Sequence, residues 1–289
     1  MLKVLQRRDT HTVIALTAPA YLWLALAVFL PLSAMLYFSV LTVPPFGDRQ
    51  PELTLTHYQA FIDRGFYRTL TWRSLQLGLE VTLWCLAIGF PSALALAKYV
   101  PGRWREALFL MVVLPFWSNA LVRTFSWTMV LGEGGLVNAG IQSVWPGAPT
   151  FDLLFTREAI VIGLVHAFVP YMILTCYLSL QAIDDALIEA ARTLGAGAFT
   201  ILRRIVVPLA APGIFAGVVL IFVPVIGAFM EPRILGGRAG TFLGTVIEDQ
   251  FTVAFNWPRG AALSFIMLGI VLVILLLASP VLKRHLRGV

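Results

Sequence analysis

No charged residue lies between Thr10 and Gly47. An uninterrupted run of that length can be buried in a very large core or in lipid, and it recurs along the chain. Reading from one charge to the next predicts six apolar helices. The first starts at Thr10 and reaches Leu41, where Val43-Pro44-Pro45-Phe46-Gly47 turns the chain, since Pro-Pro and Gly stop a helix. The others are expected at Leu75–Ala97, Ala107–Leu131, Ala159–Ile183, Ile205–Met230 and Gly260–Leu282. Each meets the roughly 20 residues that a bilayer span requires. Composition closes the choice between core and lipid. Charged residues make up 12% and apolar ones 59%, with mean hydropathy +0.85, against about 25% charged in a soluble domain. A globule of this size cannot hide so much apolar surface from water, whereas lipid covers it. The fold class expected is therefore an all-α integral membrane protein with six transmembrane helices.

Lys3, Arg7 and Arg8 before an apolar run also resemble a signal peptide, with Ala18-Pro19-Ala20 as a weak cleavage site. The apolar stretch runs well past the h-region of such a peptide and favours an uncleaved first span. Basic residues orient the chain. With the N-terminus inside, one side carries Lys3, Arg7, Arg8, Lys98, Arg103, Arg105, Arg192, Arg203, Arg204, Lys283, Arg284 and Arg287. The other carries Arg49, Arg64, Arg68, Arg73, Arg157, Arg233, Arg238 and Arg259 in longer loops. Both termini are thus expected in the cytoplasm. The net charge of +6 follows from this topology and does not call for nucleic acid. Cys85 and Cys176 lie within apolar runs and read as packing thiols, not a disulfide or metal pair.

The cytoplasmic segment 184–204 is unlike a simple connector. Asp184 and Asp185 stand where a helix starts, strong helix formers follow, and Gly195 ends the run. Leu187, Ala190, Ala191 and Leu194 recur at helical spacing, with Glu189 and Arg192 on other faces. A second helix from Phe199 is expected to run into the fifth span, with Pro208 near the entry. Glu189-Ala190-Ala191, then Gly195, then Ile205-Val206-Val207-Pro208 resembles the EAA loop of binding-protein-dependent ABC importer permeases. Leu114-Pro115-Phe116-Trp117-Ser118-Asn119 with Leu121-Val122-Arg123 is similar to the third-span motif of the spermidine/putrescine subfamily. Gly236-Gly237 and Trp257-Pro258-Arg259-Gly260-Ala261-Ala262 are similar to it too. The resemblance covers residue 70 onward.

What the resemblance implies is a type I ABC importer transmembrane domain: a tail, first span and outer loop over 1–70, and a transporter core over 71–289. Its partners would be an ABC ATPase dimer, a second homologous permease subunit in a heterodimer, a periplasmic solute-binding protein and membrane lipid. Asp185, Glu189, Ala190, Ala191, Leu194, Gly195 and Pro208 would form the ATPase-coupling loop. The chain has no G-x-x-x-x-G-K-[ST] segment, so ATP and Mg belong to the partner ATPase. The chain itself would bind no cofactor and no metal and would not be an enzyme. Its location would be the bacterial inner membrane. The solute implied is a polyamine, with ferric ion, thiamine, a phosphonate or an opine as alternatives in the same family. A secondary carrier would leave the loop unexplained, and an integral-membrane enzyme would need clustered His or Asp that four scattered His do not provide.

Candidates for the solute path are Phe116, Trp117, Asn119, Trp127 and Tyr171. Their aromatic faces could meet an ammonium group or anchor the chain at an interface. Glu231, Glu248 and Asp249 are candidates on the outer side. Glu80 and Arg123 fall inside the second and third spans, where an ionisable group needs a partner or water. The expected structural arrangement puts Glu80 near the outer interface or in a pair with Arg123.

Overall fold

The computed structural model describes residues 2–45 and 50–286. The expected turn at 43–47 is therefore seen only as far as Pro45, and Asp48, Arg49 and Arg287 lie outside the described residues. Thirteen α-helices follow in order among the described residues: α1 (Leu2–Ser39), α2 (Thr56–Asp63), α3 (Gly65–Lys98), α4 (Gly102–Val113), α5 (Ala120–Leu131), α6 (Leu136–Val144), α7 (Arg157–Gln181), α8 (Asp185–Thr193), α9 (Ala198–Ile201), α10 (Val207–Ile226), α11 (Met230–Gly236), α12 (Leu243–Thr252) and α13 (Trp257–Leu286). The only extended pairing among these residues is an isolated bridge between Leu41 and Leu53.

Among the described residues, five stretches are long and apolar enough to cross a bilayer: Leu16–Ser39, Gly65–Lys98, Arg157–Gln181, Ala198–Ile226 and Trp257–Ala278. They correspond to five of the six expected spans. The third, expected at 107–131, is not one helix. α4 ends at Val113, a 3-10 turn follows at Leu114–Trp117, and α5 starts afresh at Ala120. Two local causes meet there. Pro115 has no amide hydrogen to donate. Asn119 then caps the new helix, its Oδ1 accepting from the Leu121 amide at 2.8 Å, which satisfies one donor of the fresh N-terminus.

The described chain divides into two compact units. One is drawn from Met1–Asp63 and Asp249–Leu268, the other from Arg64–Glu248 and Gly269–Val289. In the first, the Tyr58 hydroxyl donates to Ser39 Oγ at 2.7 Å, His57 Nε2 lies 3.1 Å from the Leu41 carbonyl, and the rings of Phe38 and Trp257 meet at 6.4 Å. The second is built on α3, α7 and α10, which pack on one another. Val81, Cys85, Leu164, Met172, Cys176 and Ile221 are fully buried there, so both cysteines are free packing thiols, as their apolar surroundings in the sequence predict. Between helices in lipid, close approach matters more than apolarity, because the lipid is itself apolar. Gly89 and Gly217 supply that approach: a β-carbon on either would lie 2.8 or 2.6 Å from Met172.

Candidate functional site

The segment 184–204 folds as its residues dictate. Asp184 caps α8, its Oδ1 accepting from the Ala186 amide at 2.9 Å. Asp185 in the first turn and Arg192 in the last suit the helix dipole. The helix closes in a Schellman turn. Ala196 N donates to Ala191 O at 3.0 Å and Gly195 N donates to Arg192 O at 2.9 Å. That turn places Gly195 at φ +83°, a conformation that favours a residue without a β-carbon.

The apolar residues of α8 divide between two faces. Ile188 and Ala191 pack against the core. Leu187 is 51% exposed and Leu194 88% exposed, with Ala190 also open and Phe199 exposed just beyond. Leu187, Ala190 and Leu194 of the expected stripe are thus turned outward, while Ala191 turns inward with Ile188, which that pattern did not include. Beneath the helix a cavity of about 230 Å³ is lined by Lys98, Asp185, Ile188, Glu189 and Arg192, among others. Lys98 holds the Asp185 carboxyl below the usual carboxylate range by a hydrogen bond and its charge. The pair is therefore complete above that range and lost only as pH falls through the depressed value.

Pro208 lies at the start of α10 and explains the backbone before it. It cannot donate to the Arg204 carbonyl, and its ring crowds that turn. The chain widens into a π-turn over Leu202–Val206, in which the Val207 amide reaches back five residues to Leu202 O. Asp185, Glu189, Ala190, Ala191, Leu194 and Gly195 thus share one hairpin, and Pro208 shapes its exit.

Each of the path candidates has local contacts of its own. Phe116 meets Tyr171 edge-on at 4.5 Å, and Trp127 meets His166 at 5.4 Å with its Nε1 donating to His166 Nδ1 at 3.2 Å. Trp117 is 84% exposed. Asn119 is spent on its cap. Glu248 is bonded to Arg233, and the Asp249 carbonyl accepts from Val253 and Ala254 at the end of α12. Glu231 stands on α11, which packs against α5. Burial raises its carboxyl above the ordinary range, and a backbone hydrogen bond and Arg123 draw it back. Arg123 also lines an open groove of about 320 Å³ with Ser118, Ser126, Trp127 and His166.

Of the two arrangements expected for Glu80, the pairing with Arg123 is not found. The partner of Glu80 is Arg157, the first residue of α7, whose Nη2 donates at 2.7 Å and Nε at 3.2 Å. This two-point geometry suits a guanidinium and ties α3 to α7. Glu80→Gln is expected to lower the thermal midpoint of the detergent-purified chain by a few degrees. The Glu80→Gln/Arg157→Gln double variant should recover part of that loss, because the lone charge is gone. A double variant less stable than both singles by their full sum would show that the two do not interact. The roles of Lys98, His166 and Arg157 are not legible in the sequence. Their partners are distant in the chain, and no local spacing marks them.

The long apolar helices and the exposed capped hairpin at the end of a span together make an all-α membrane architecture. Residues 87–287 match the family described as the binding-protein-dependent transport system inner membrane component, and the chain belongs to that family. It is similar to the spermidine/putrescine transport system permease protein PotB of Escherichia coli (strain K12), 35% identical over 267 residues that cover 91% of this chain and 96% of that relative. The fold is that of a bacterial ABC transporter involved in the import of the acidic polysaccharide alginate, with TM-score 0.74, 98% and 99% of the two chains covered and 18% identity. A second structure of a bacterial alginate ABC transporter, in complex with an alginate pentasaccharide-bound periplasmic protein, gives TM-score 0.73 at 18% identity over 96% of each chain. The chain is an ABC importer permease, a multi-pass protein of the inner membrane.

Proposed function

We propose that this permease forms half of the path for a polyamine such as spermidine or putrescine. The observation that carries the solute is the 35% identity, over nearly the whole chain, to a spermidine/putrescine permease. The aromatic pairs Phe116–Tyr171 and Trp127–His166 and the half-buried Glu231 are compatible with passing an ammonium group. A periplasmic binding protein delivers the solute, a second permease completes the path, and a separate ATPase dimer consumes ATP and Mg. With α4 and α5 together crossing once, both termini and the 184–204 hairpin face the cytoplasm, a topology that the distribution of basic residues supports. The exposed stripe Leu187, Ala190 and Leu194, with Glu189 beside it, seats in a groove of the ATPase. Closure of the ATPase pair then moves α8 and the attached helices as rigid bodies, opening the path on one side while it shuts on the other.

The test is reconstitution of the chain with its ATPase, second permease and binding protein in nanodiscs. Spermidine or putrescine is expected to stimulate ATP hydrolysis, and ferric ion, thiamine and a phosphonate are not. Stimulation by one of those solutes with no response to polyamine would replace the solute and keep the permease. No stimulation by any solute, with no ATPase bound, would overturn the coupling as well.

A further inference from the structure

One ammonium group joins the ends of three helices. Lys98 is the last residue of α3. Its Nζ donates to the Ile183 carbonyl at 2.6 Å and to Asp185 Oδ1 at 2.6 Å. Ile183 lies just past the C-terminal end of α7, and Asp185 is the first residue of α8. The lysine side chain is only 10% exposed, whereas that of Asp185 is 74% exposed. This lysine is therefore a packed strut, not a solvated surface charge. A mostly buried ammonium is costly to leave unpaired, so both acceptors are held firmly. Arg105 on α4 adds a second positive charge facing Asp185 and donates to the Val100 carbonyl in the turn after α3.

The far end of α3 is bonded as well. Arg73 donates to the Ala239 carbonyl at 3.3 Å and lies over the Phe242 ring at 5.3 Å. Ser74 Oγ accepts from the Leu243 amide at 3.0 Å. α3 has 34 residues, and at 1.5 Å per residue it reaches about 50 Å. It thus links the hairpin at one end of the bundle to the segment between α11 and α12 at the other.

We propose that Lys98 is the positioning residue that fastens α8 to α3, so that displacement of α8 travels along α3 to the α11–α12 segment. The proposal rests on the reading of α8 as the ATPase contact. With the ammonium in place, α8 cannot tilt without drawing α3. Without it, the inward anchors of α8 are the apolar contacts of Ile188 and Ala191, which permit sliding of the kind packed helices show.

The experiment uses the complete complex in proteoliposomes and reads three quantities: ATPase co-purified with the chain, ATP hydrolysed, and solute taken up per ATP. Lys98→Met keeps the apolar stem and removes the charge. It is expected to retain the ATPase and its hydrolysis, while uptake per ATP falls by about tenfold, the worth of one charge-assisted hydrogen bond. Lys98→Arg, which can donate to both acceptors, should restore most of the uptake. If the Lys98→Met chain does not accumulate, Asp185→Ala decides, because that residue is exposed and is not the helix cap. It should lower uptake per ATP several-fold. Normal uptake per ATP in whichever of these variants accumulates overturns the proposal. So does loss of the ATPase from the Lys98→Met complex, since Lys98 would then only shape the docking face. Leu194→Asp separates this from the underlying reading: an ATPase that stays bound to that variant defeats the docking of α8 itself, whatever Lys98 does.

Discussion

Gly195→Asp is expected to abolish uptake and ATPase coupling while the chain still inserts and accumulates. The turn that ends α8 requires φ +83° at this position. A residue with a β-carbon adopts that region at a cost of roughly 1–2 kcal/mol, and Asp is among those that tolerate it best. A carboxylate there also faces the negative end of the α8 dipole, at about 0.3–1 kcal/mol. These costs are small beside the roughly 5–15 kcal/mol of a folded domain. No heavy atom lies within 4 Å of the position a β-carbon would take, so the substitution meets no clash in the isolated chain. Its large effect arises in the complex, where the new charge and the distorted turn enter the ATPase contact. Uptake below a tenth of wild type, with normal amounts of membrane-inserted chain, is the expected readout. Gly195→Ala, which brings the strain without the charge, should be intermediate. Normal uptake in Gly195→Asp with the ATPase bound as usual would remove Gly195 from the docking face.

Leu194→Asp is expected to release the ATPase without destabilising the permease. Leu194 is 88% exposed, so its replacement opens no cavity, and a carboxylate at this C-cap costs only about 0.3–1 kcal/mol against the α8 dipole. An apolar anchor at the centre of an interface is worth about 2 kcal/mol or more, close to thirtyfold in affinity at 1.4 kcal/mol per tenfold. Burying an unpaired carboxylate adds to that loss. Co-purification should therefore show the permease alone, with its thermal midpoint little changed. Phe199→Asp, at the start of the next helix and also exposed, tests how far the docking face extends. Retention of the ATPase by Leu194→Asp would move the contact elsewhere on the hairpin.

The hairpin is legible in the sequence because each of its signals is local. Asp184 caps within two residues, Gly195 closes its turn with bonds to the preceding helical turn, and Pro208 acts on the carbonyl of Arg204. The break in the third expected span is carried by equally local residues, Pro115 and Asn119, yet it does not stand out along the chain. Pro91, Pro170, Pro212 and Pro224 all lie inside continuous helices. A proline in an apolar run therefore does not by itself say whether the helix ends, since neighbouring helices can satisfy the freed carbonyl. The orientation of α8 is open in the sequence for a related reason. Leu187, Ala190, Ala191 and Leu194 share a helical face by spacing alone, but which face turns inward depends on what α3, α7 and α9 leave to be filled.

The sequence by itself determined the membrane class, five of the spans and the capped hairpin, because these follow from composition and from interactions within a few residues along the chain, and its motifs carried the resemblance to the family. Only the tertiary structure decided which groups its charges meet. Glu80 meets Arg157 and Lys98 meets Ile183 and Asp185 across 77, 85 and 87 positions of chain. Such pairs are chosen by how helices pack, where each charge must find whatever opposite group or carbonyl the bundle brings within reach, and no periodicity in one helix records that choice.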